Sequence, residues 1–152
     1  FGAAAAPMGF GEVYTAIQQG VIDGAENNEL ALTNNKHGEV AKYYAYNKHQ
    51  MVPDMLVANL KFLQGLDPEE YQVFKDAALL STQVEMEEWD KSIEAAKQIA
   101  SEDIGVEFID VDVDAFKQKV LPLHEKMLKE NPKIADLYLY IQEVNEKAKG
   151  GQ

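Results

Sequence analysis

The stretch "LDPEEYQVFKDAALLSTQVEMEEWDKSIEAAKQIA" (66–100) carries the architecture. Asp67 is a suitable N-cap, Pro68 suits the first helical position, and Glu69 and Glu70 complement the positive end of a helix. The spacing predicts one helix over residues 68–101, spanning about 50 Å, more than the width of a small domain. Tyr71, Phe74, Ala78, Trp89, Ile93, Ala96 and Ala100 share one apolar stripe, while Val73, Leu80 and Val84 form a second stripe on the opposite side. A helix that is apolar on two sides in its first half is gripped there by two bodies.

Toward the C-terminus, Gly105 breaks the helix and "VEFIDV" (106–111) reads as a strand. Asp112 or Asp114 then caps a helix to about Glu130, disturbed at Pro122. Asn131-Pro132 repeats the cap signature and opens a last helix to about Lys147, followed by a frayed tail, 150–152. On the N-terminal side, "MVPDMLVANLKFL" (51–63) reads as a strand that bends midway, with Pro53 near its start, where a missing N–H costs least. Tyr43, Tyr44 and Tyr46 suit another strand, "NNKHG" (34–38) a loop, and Leu30–Leu32 a short helix. Val21–Asp23 reads as a short strand, preceded by an amphipathic helix through Phe10, Val13, Tyr14 and Ile17 that stops at Gly20. Alternating helices and strands define an α/β class. The strands are few for such a sheet, and with the two-sided helix they lead us to expect partner strands outside this sequence.

With 152 residues, 46% of them hydrophobic, the chain can bury a core. A formal charge of −12 argues against nucleic acid and anionic lipid as partners. Cysteine is absent, which removes disulfides, thiolate nucleophiles and Cys-ligated metals. All 14 basic residues are lysines, so any anion must be gripped by Lys, amides or helix ends, or by an Arg from elsewhere. "FGAAAAPMGF" (1–10) lacks the basic and apolar regions of a signal peptide, and the chain is expected to begin inside a domain.

Candidate chemistry centres on "AENNE" (25–29), a polar knot between apolar runs. Asn27 or Asn28 could simply cap the following helix. Alternatively, the knot lies just beyond a strand, where α/β proteins bind ligands, and Asn offers donors and an acceptor without charge. Phe10, between Gly9 and Gly11 at a helix mouth, is either core or a ring that stacks on a ligand. His49 stands just before an apolar strand and is a candidate ligand contact, whereas His37 and His124 read as loop and surface residues. Asp110, Asp112 and Asp114 resemble a calcium loop only superficially, since Ala115 and Leu121 occupy the positions that need Gly and Glu; a strand end plus a helix cap explains them. No catalytic residue, cofactor or metal site is evident. Two alternatives to a binding role remain: an enzyme using Glu26 and His49 as an acid–base pair, or a helix-mediated interaction module.

"AAPMGFGEVYTAIQQGVIDGAENN" (5–28) resembles the signature of the DctP-like solute-binding proteins of tripartite ATP-independent periplasmic (TRAP) transporters, which carry something like "xxPMPFxEVYxALQxGxVDGxENP". The likeness continues through "KHGEVAKYY" (36–44), "HQMVPDMLVAN" (49–59) and "LDPEEYQVFKDAA" (66–78). The resemblance implies a periplasmic-binding-protein-like architecture of two α/β lobes around a cleft, joined by crossing strands and a long helix packed on both. On that plan residues 1–52 belong to the second lobe, 53–92 are the crossing strand and the long helix on the first lobe, and 93–149 complete the second lobe. It implies a receptor, not an enzyme, lying in the periplasm or held outside the membrane as a lipoprotein, with a signal peptide in its precursor. Its ligand would be an organic acid such as a sugar acid or C4-dicarboxylate, delivered to membrane permease subunits. Phe10 takes the place of the family's cleft aromatic, Asn27 that of the Asn that bonds the substrate carboxylate, and His49 that of a His in the polar network. Asn28 stands where many members have Pro and adds a second amide beside Glu26 and Asn27. The family's carboxylate-gripping Arg lies upstream of "PMGF", so the chain is expected to be the C-terminal part of a receptor whose N-terminal part is its partner.

Overall fold

A computed structural model of the chain describes residues 1–149; the 150–152 tail lies outside the described residues. Seven helices and two strands follow one another among them. A short 3-10 turn, Phe10–Glu12, leads into α1 (Val13–Gln18), and α2 (Leu30–Asn34) and α3 (His37–Val40) precede β1 (Tyr43–Tyr46). After α4 (Leu60–Gly65) comes α5 (Pro68–Ile99), then β2 (Glu107–Asp110), α6 (Val113–Glu130) and α7 (Pro132–Lys149).

The chain falls into two compact units. The larger comprises residues 5–46 and 50–110. Its two-stranded sheet is parallel, pairing Tyr43 with Glu107, Tyr44 with Phe108, Ala45 with Ile109 and Tyr46 with Asp110. Below it lies a small core of Leu32, Ala100 and Val106, with Tyr44, Ile104 and Phe108 packed against it. Ala100 is fully buried, so the C-terminal end of α5 anchors this unit. Small side chains at Ala96 and Ala100 let that end approach α2 closely. Gly38 sits equally tight: an added Cβ would lie 3.1 Å from the Leu32 carbonyl oxygen and 3.1 Å from Val106.

The smaller unit contains residues 1–4, 47–49 and the described residues from 111 on. Its body is the α6–α7 pair, where the His124 and Tyr138 rings meet edge-on at 6.0 Å, and Phe1 packs edge-on to Phe116 at 5.1 Å. His124 is therefore half-buried with a ring partner, not a solvated surface residue.

The caps read at Asp67 and Asp112 form, whereas the Asn131 side chain donates back to the Met127 carbonyl at 3.3 Å. Asp67 accepts the N–H groups of Glu69 and Glu70, both at 2.9 Å, while Glu70 accepts that of Asp67 at 3.1 Å. Asp112 accepts the N–H of Ala115 at 3.1 Å, and α6 runs on through Pro122 without a break. Past Ile99 the long helix widens into a π-helical turn, Ala100–Ile104, closed by Gly105 at φ 79°.

Two expected strands do not form. Val21 and Ile22 donate their N–H groups back to the Ala16 carbonyl, at 2.9 and 3.4 Å, so this segment finishes α1 instead of extending. Residues 51–59 stay outside any helix or strand, and Leu60–Gly65 turns helical because Asn59 caps it through the N–H groups of Lys61 and Phe62. In that segment Met51 is 93% exposed, and Val52, Met55, Leu56 and Val57 are exposed too. The first half of α5 likewise exposes Tyr71, Val73, Phe74, Leu80 and Val84.

Candidate functional site

The polar knot is tied down residue by residue, all within the larger unit. Gln50 Nε2 donates to Glu26 Oε2 at 3.0 Å. The Tyr44 hydroxyl donates to the Asn27 backbone carbonyl at 2.7 Å. The Asn28 backbone N–H donates to Asn27 Oδ1 at 2.9 Å, and the Leu30 N–H donates to Asn28 Oδ1 at 3.1 Å. Asn28 thus makes an Asx turn just ahead of α2, whose N-cap position is Glu29 and carries no side-chain cap, so neither Asn is the cap the sequence allowed.

A chemical consequence follows from those last two bonds. Each Asn amide has committed its oxygen to a backbone N–H, and neither NH2 group has a partner among the described residues. Both side chains are exposed. Two adjacent amides therefore each present an NH2 group, two N–H bonds apiece, with one lone pair of each oxygen already engaged. Such an arrangement favours acceptor oxygens, carboxylate or hydroxyl, and holds them at any pH where the protein is folded.

Phe10 stands at the start of the helical turn before α1, held by an exchange in which Glu12 Oε2 accepts the Gly9 N–H at 3.0 Å and Gly9 oxygen accepts the Glu12 N–H at 2.9 Å. Its ring remains exposed and meets the His37 ring edge-on at 5.5 Å. His37 is only 6% exposed, against the expectation of a loop residue: the segment turns into α3, and its first residue is folded inward. Burial lowers the His37 pKa below its usual value. Tyr14 on α1 donates to Glu39 on α3 at 3.0 Å, a second tie between the two helices.

His49 lies in the smaller unit, where its Nδ1 and the Asn47 Oδ1 are 2.7 Å apart. The structure thus places Phe10, Glu26, Asn27 and Asn28 in one unit and His49 in the other.

Sequence reasoning missed Tyr44 and Tyr46 as companions of the knot. Tyr44, Tyr46 and Phe108 form an aromatic cluster across the sheet, with centroids 5.2 Å (44–46), 5.5 Å (44–108) and 5.9 Å (46–108) apart. Burial, aided by the Glu29 and Glu26 charges, pushes the Tyr44 phenol up to about 12. The Tyr46 hydroxyl is buried without a hydrogen-bond partner among the described residues. Burial first, and then the neighbouring Glu29 carboxylate, raises its pKa well above the usual phenol value, although that carboxylate completes no hydrogen bond to it. The available signal was the alternation of "YYAY" (43–46), which places residues 44 and 46 on one side of a strand.

Comparison with known proteins adds independent information. Residues 1–131 match the model of the bacterial extracellular solute-binding protein, family 7. Protein YiiZ of Salmonella typhimurium is 43% identical over 141 residues, 93% of this chain and 43% of that protein. A TRAP periplasmic solute-binding protein of Anaerococcus prevotii, solved with bound α/β-D-glucuronate, is 50% identical with a TM-score of 0.86, covering 96% of this chain and 47% of that one. Another, from a Sulfitobacter species with bound β-D-galacturonate, is 40% identical with a TM-score of 0.81, over 90% and 45% of the two chains. The chain spans less than half the length of these relatives. Signature, fold and family match agree: this chain belongs to the DctP family of bacterial extracellular solute-binding proteins, the TRAP-type receptors.

Proposed function

We propose that the chain forms part of an extracytoplasmic TRAP receptor whose solute is a sugar acid of the hexuronate type. The observation that carries this reading is the pair of adjacent amide NH2 groups at Asn27 and Asn28, each with its oxygen already engaged by a backbone N–H. A carboxylate and a neighbouring hydroxyl supply the acceptor oxygens that such donors need. The similar receptors solved with D-glucuronate and β-D-galacturonate favour a hydroxylated acid over a plain C4-dicarboxylate. The exposed ring of Phe10 supplies a flat apolar surface for the solute's carbon face. Glu26 accepts from a solute hydroxyl. The receptor binds and releases its solute without chemistry, closing two lobes around it.

On this reading residues 1–52 and 93–149 belong to one lobe, and 53–92 cross to the other. The exposed apolar side chains of residues 51–57 and of the first half of α5 support that assignment, because contiguous apolar surface of this kind marks an interface. The N-terminal part of the same receptor is the partner that covers them, and membrane permease subunits take the delivered solute.

The test is a titration of the complete receptor by isothermal calorimetry with D-glucuronate, D-galacturonate and succinate. Hexuronates bind, and Asn27→Ala weakens them by about 1–3 kcal/mol, the effect of leaving a desolvated acceptor unpaired. Absence of binding by any sugar acid, or unchanged affinity in the variant, would overturn the reading.

A further inference from the structure

Residues 23–28 form no helix or strand, yet the proposed function asks them to present amide donors in a fixed direction. What supplies the rigidity is visible in the peptide unit joining Asn27 to Asn28. Its carbonyl accepts the Tyr44 hydroxyl at 2.7 Å, and its N–H donates to the Asn27 side-chain oxygen at 2.9 Å. One planar group is therefore held at both ends. Pinning its carbonyl fixes the direction of its N–H, which in turn fixes which end of the Asn27 amide is oxygen and which is NH2.

Tyr44 can act as such a pin because its ring is packed in place. It is half-buried on β1, opposite Phe108 of β2, with its ring against Tyr46 and Phe108 and packed on the Leu32, Ala100 and Val106 core. Its hydroxyl also keeps its proton throughout the physiological range, so it is always a donor.

We propose that Tyr44 is a positioning residue of the solute site: by holding the Asn27 carbonyl it orients the Asn27 NH2 group toward the solute, and so couples the buried sheet to binding. This assignment rests on the sugar-acid reading above.

The experiment is a double-mutant cycle in the complete receptor, with D-glucuronate as the probe. Tyr44→Phe keeps the ring and its packing and deletes only the donor. It is expected to weaken D-glucuronate about three- to tenfold, the value of one net hydrogen bond, while circular dichroism stays that of the parent. In an Asn27→Ala background the same change is expected to alter affinity less than about twofold, because the group it orients is gone. In the solute-free receptor, the Asn27 side-chain NH2 resonances are expected to shift in the Tyr44→Phe variant, which a general loss of stability would not single out. Wild-type affinity in Tyr44→Phe, or an equal loss in both backgrounds, overturns the positioning role alone. A parent receptor that binds D-glucuronate no better than succinate, or an Asn27→Ala variant with unchanged affinity, overturns the sugar-acid reading and this assignment with it.

Discussion

At His37, burial and basicity oppose each other. The ring is folded under Phe10 and held neutral, with its pKa lowered from 6.5 by loss of solvent. The unfolded chain therefore takes up a proton at a higher pH than the folded one. Between the ordinary value and the lowered one the unfolded state holds more protons, so stability falls as pH drops through that window and levels off below it. Urea titrations at pH 7.5 and pH 5 are expected to show a decline for the parent that is shallower in His37→Gln; equal declines would remove His37 as a contributor. The sequence showed a His and an aromatic ring but not their contact, because nothing local announces that "KHGEV" turns helical after Lys36 adopts φ 59°. Asn27 became a candidate from its place beyond an expected strand that does not form, and from the resemblance. Which of its amide atoms stays available was not, since that depends on Tyr44, 17 residues away.

Among the elements, the close approach at Gly38 sets a sharp constraint. A Cβ there would press on the Leu32 carbonyl oxygen and on the Val106 and Ile104 methyls at 3.1, 3.1 and 3.3 Å, and the first of these is backbone that cannot rotate away. Gly38→Ala is expected to destabilise by about 1–3 kcal/mol in urea unfolding; a neutral result would mean that α3 can shift bodily off the core. Helices α5, α6 and α7 were readable because Asp67-Pro68, Asp112 and Asn131-Pro132 carry their start signals locally. Strands β1 and β2 were readable from residue type. The reading of residues 51–63 as a strand was different in kind: 60–63 turned helical, and although apolar residues suit an extended chain at 51–59, a strand exists only where a neighbour supplies hydrogen bonds, and the described residues supply none. Val21–Asp23 failed for a local reason, since the open carbonyl of Ala16 at the end of α1 captured its N–H groups.

For the molecule as a whole, the largest imbalance is the apolar surface along residues 51–57 and the first half of α5. Leu80 is 61% exposed, so Leu80→Glu is expected to change the stability of these residues alone by less than about 0.5 kcal/mol. In the complete receptor, where the proposed first lobe covers α5, the same change buries an unpaired charge and is expected to cost several kcal/mol. Thermal unfolding of the two proteins side by side decides it, and equal tolerance would leave α5 without a covering lobe. The parallel pairing of β1 with β2 has a further consequence in time. About 60 residues, including all of α5, separate Tyr46 from Glu107, and closing so long a loop costs roughly 3–4 kcal/mol of chain entropy. On a growing chain Tyr44 is translated 64 residues before Phe108, so the ring proposed to aim the amide waits, unsupported, while that stretch emerges. If Tyr44 aims the amide as proposed, the newborn protein is blind to its solute until that later strand arrives.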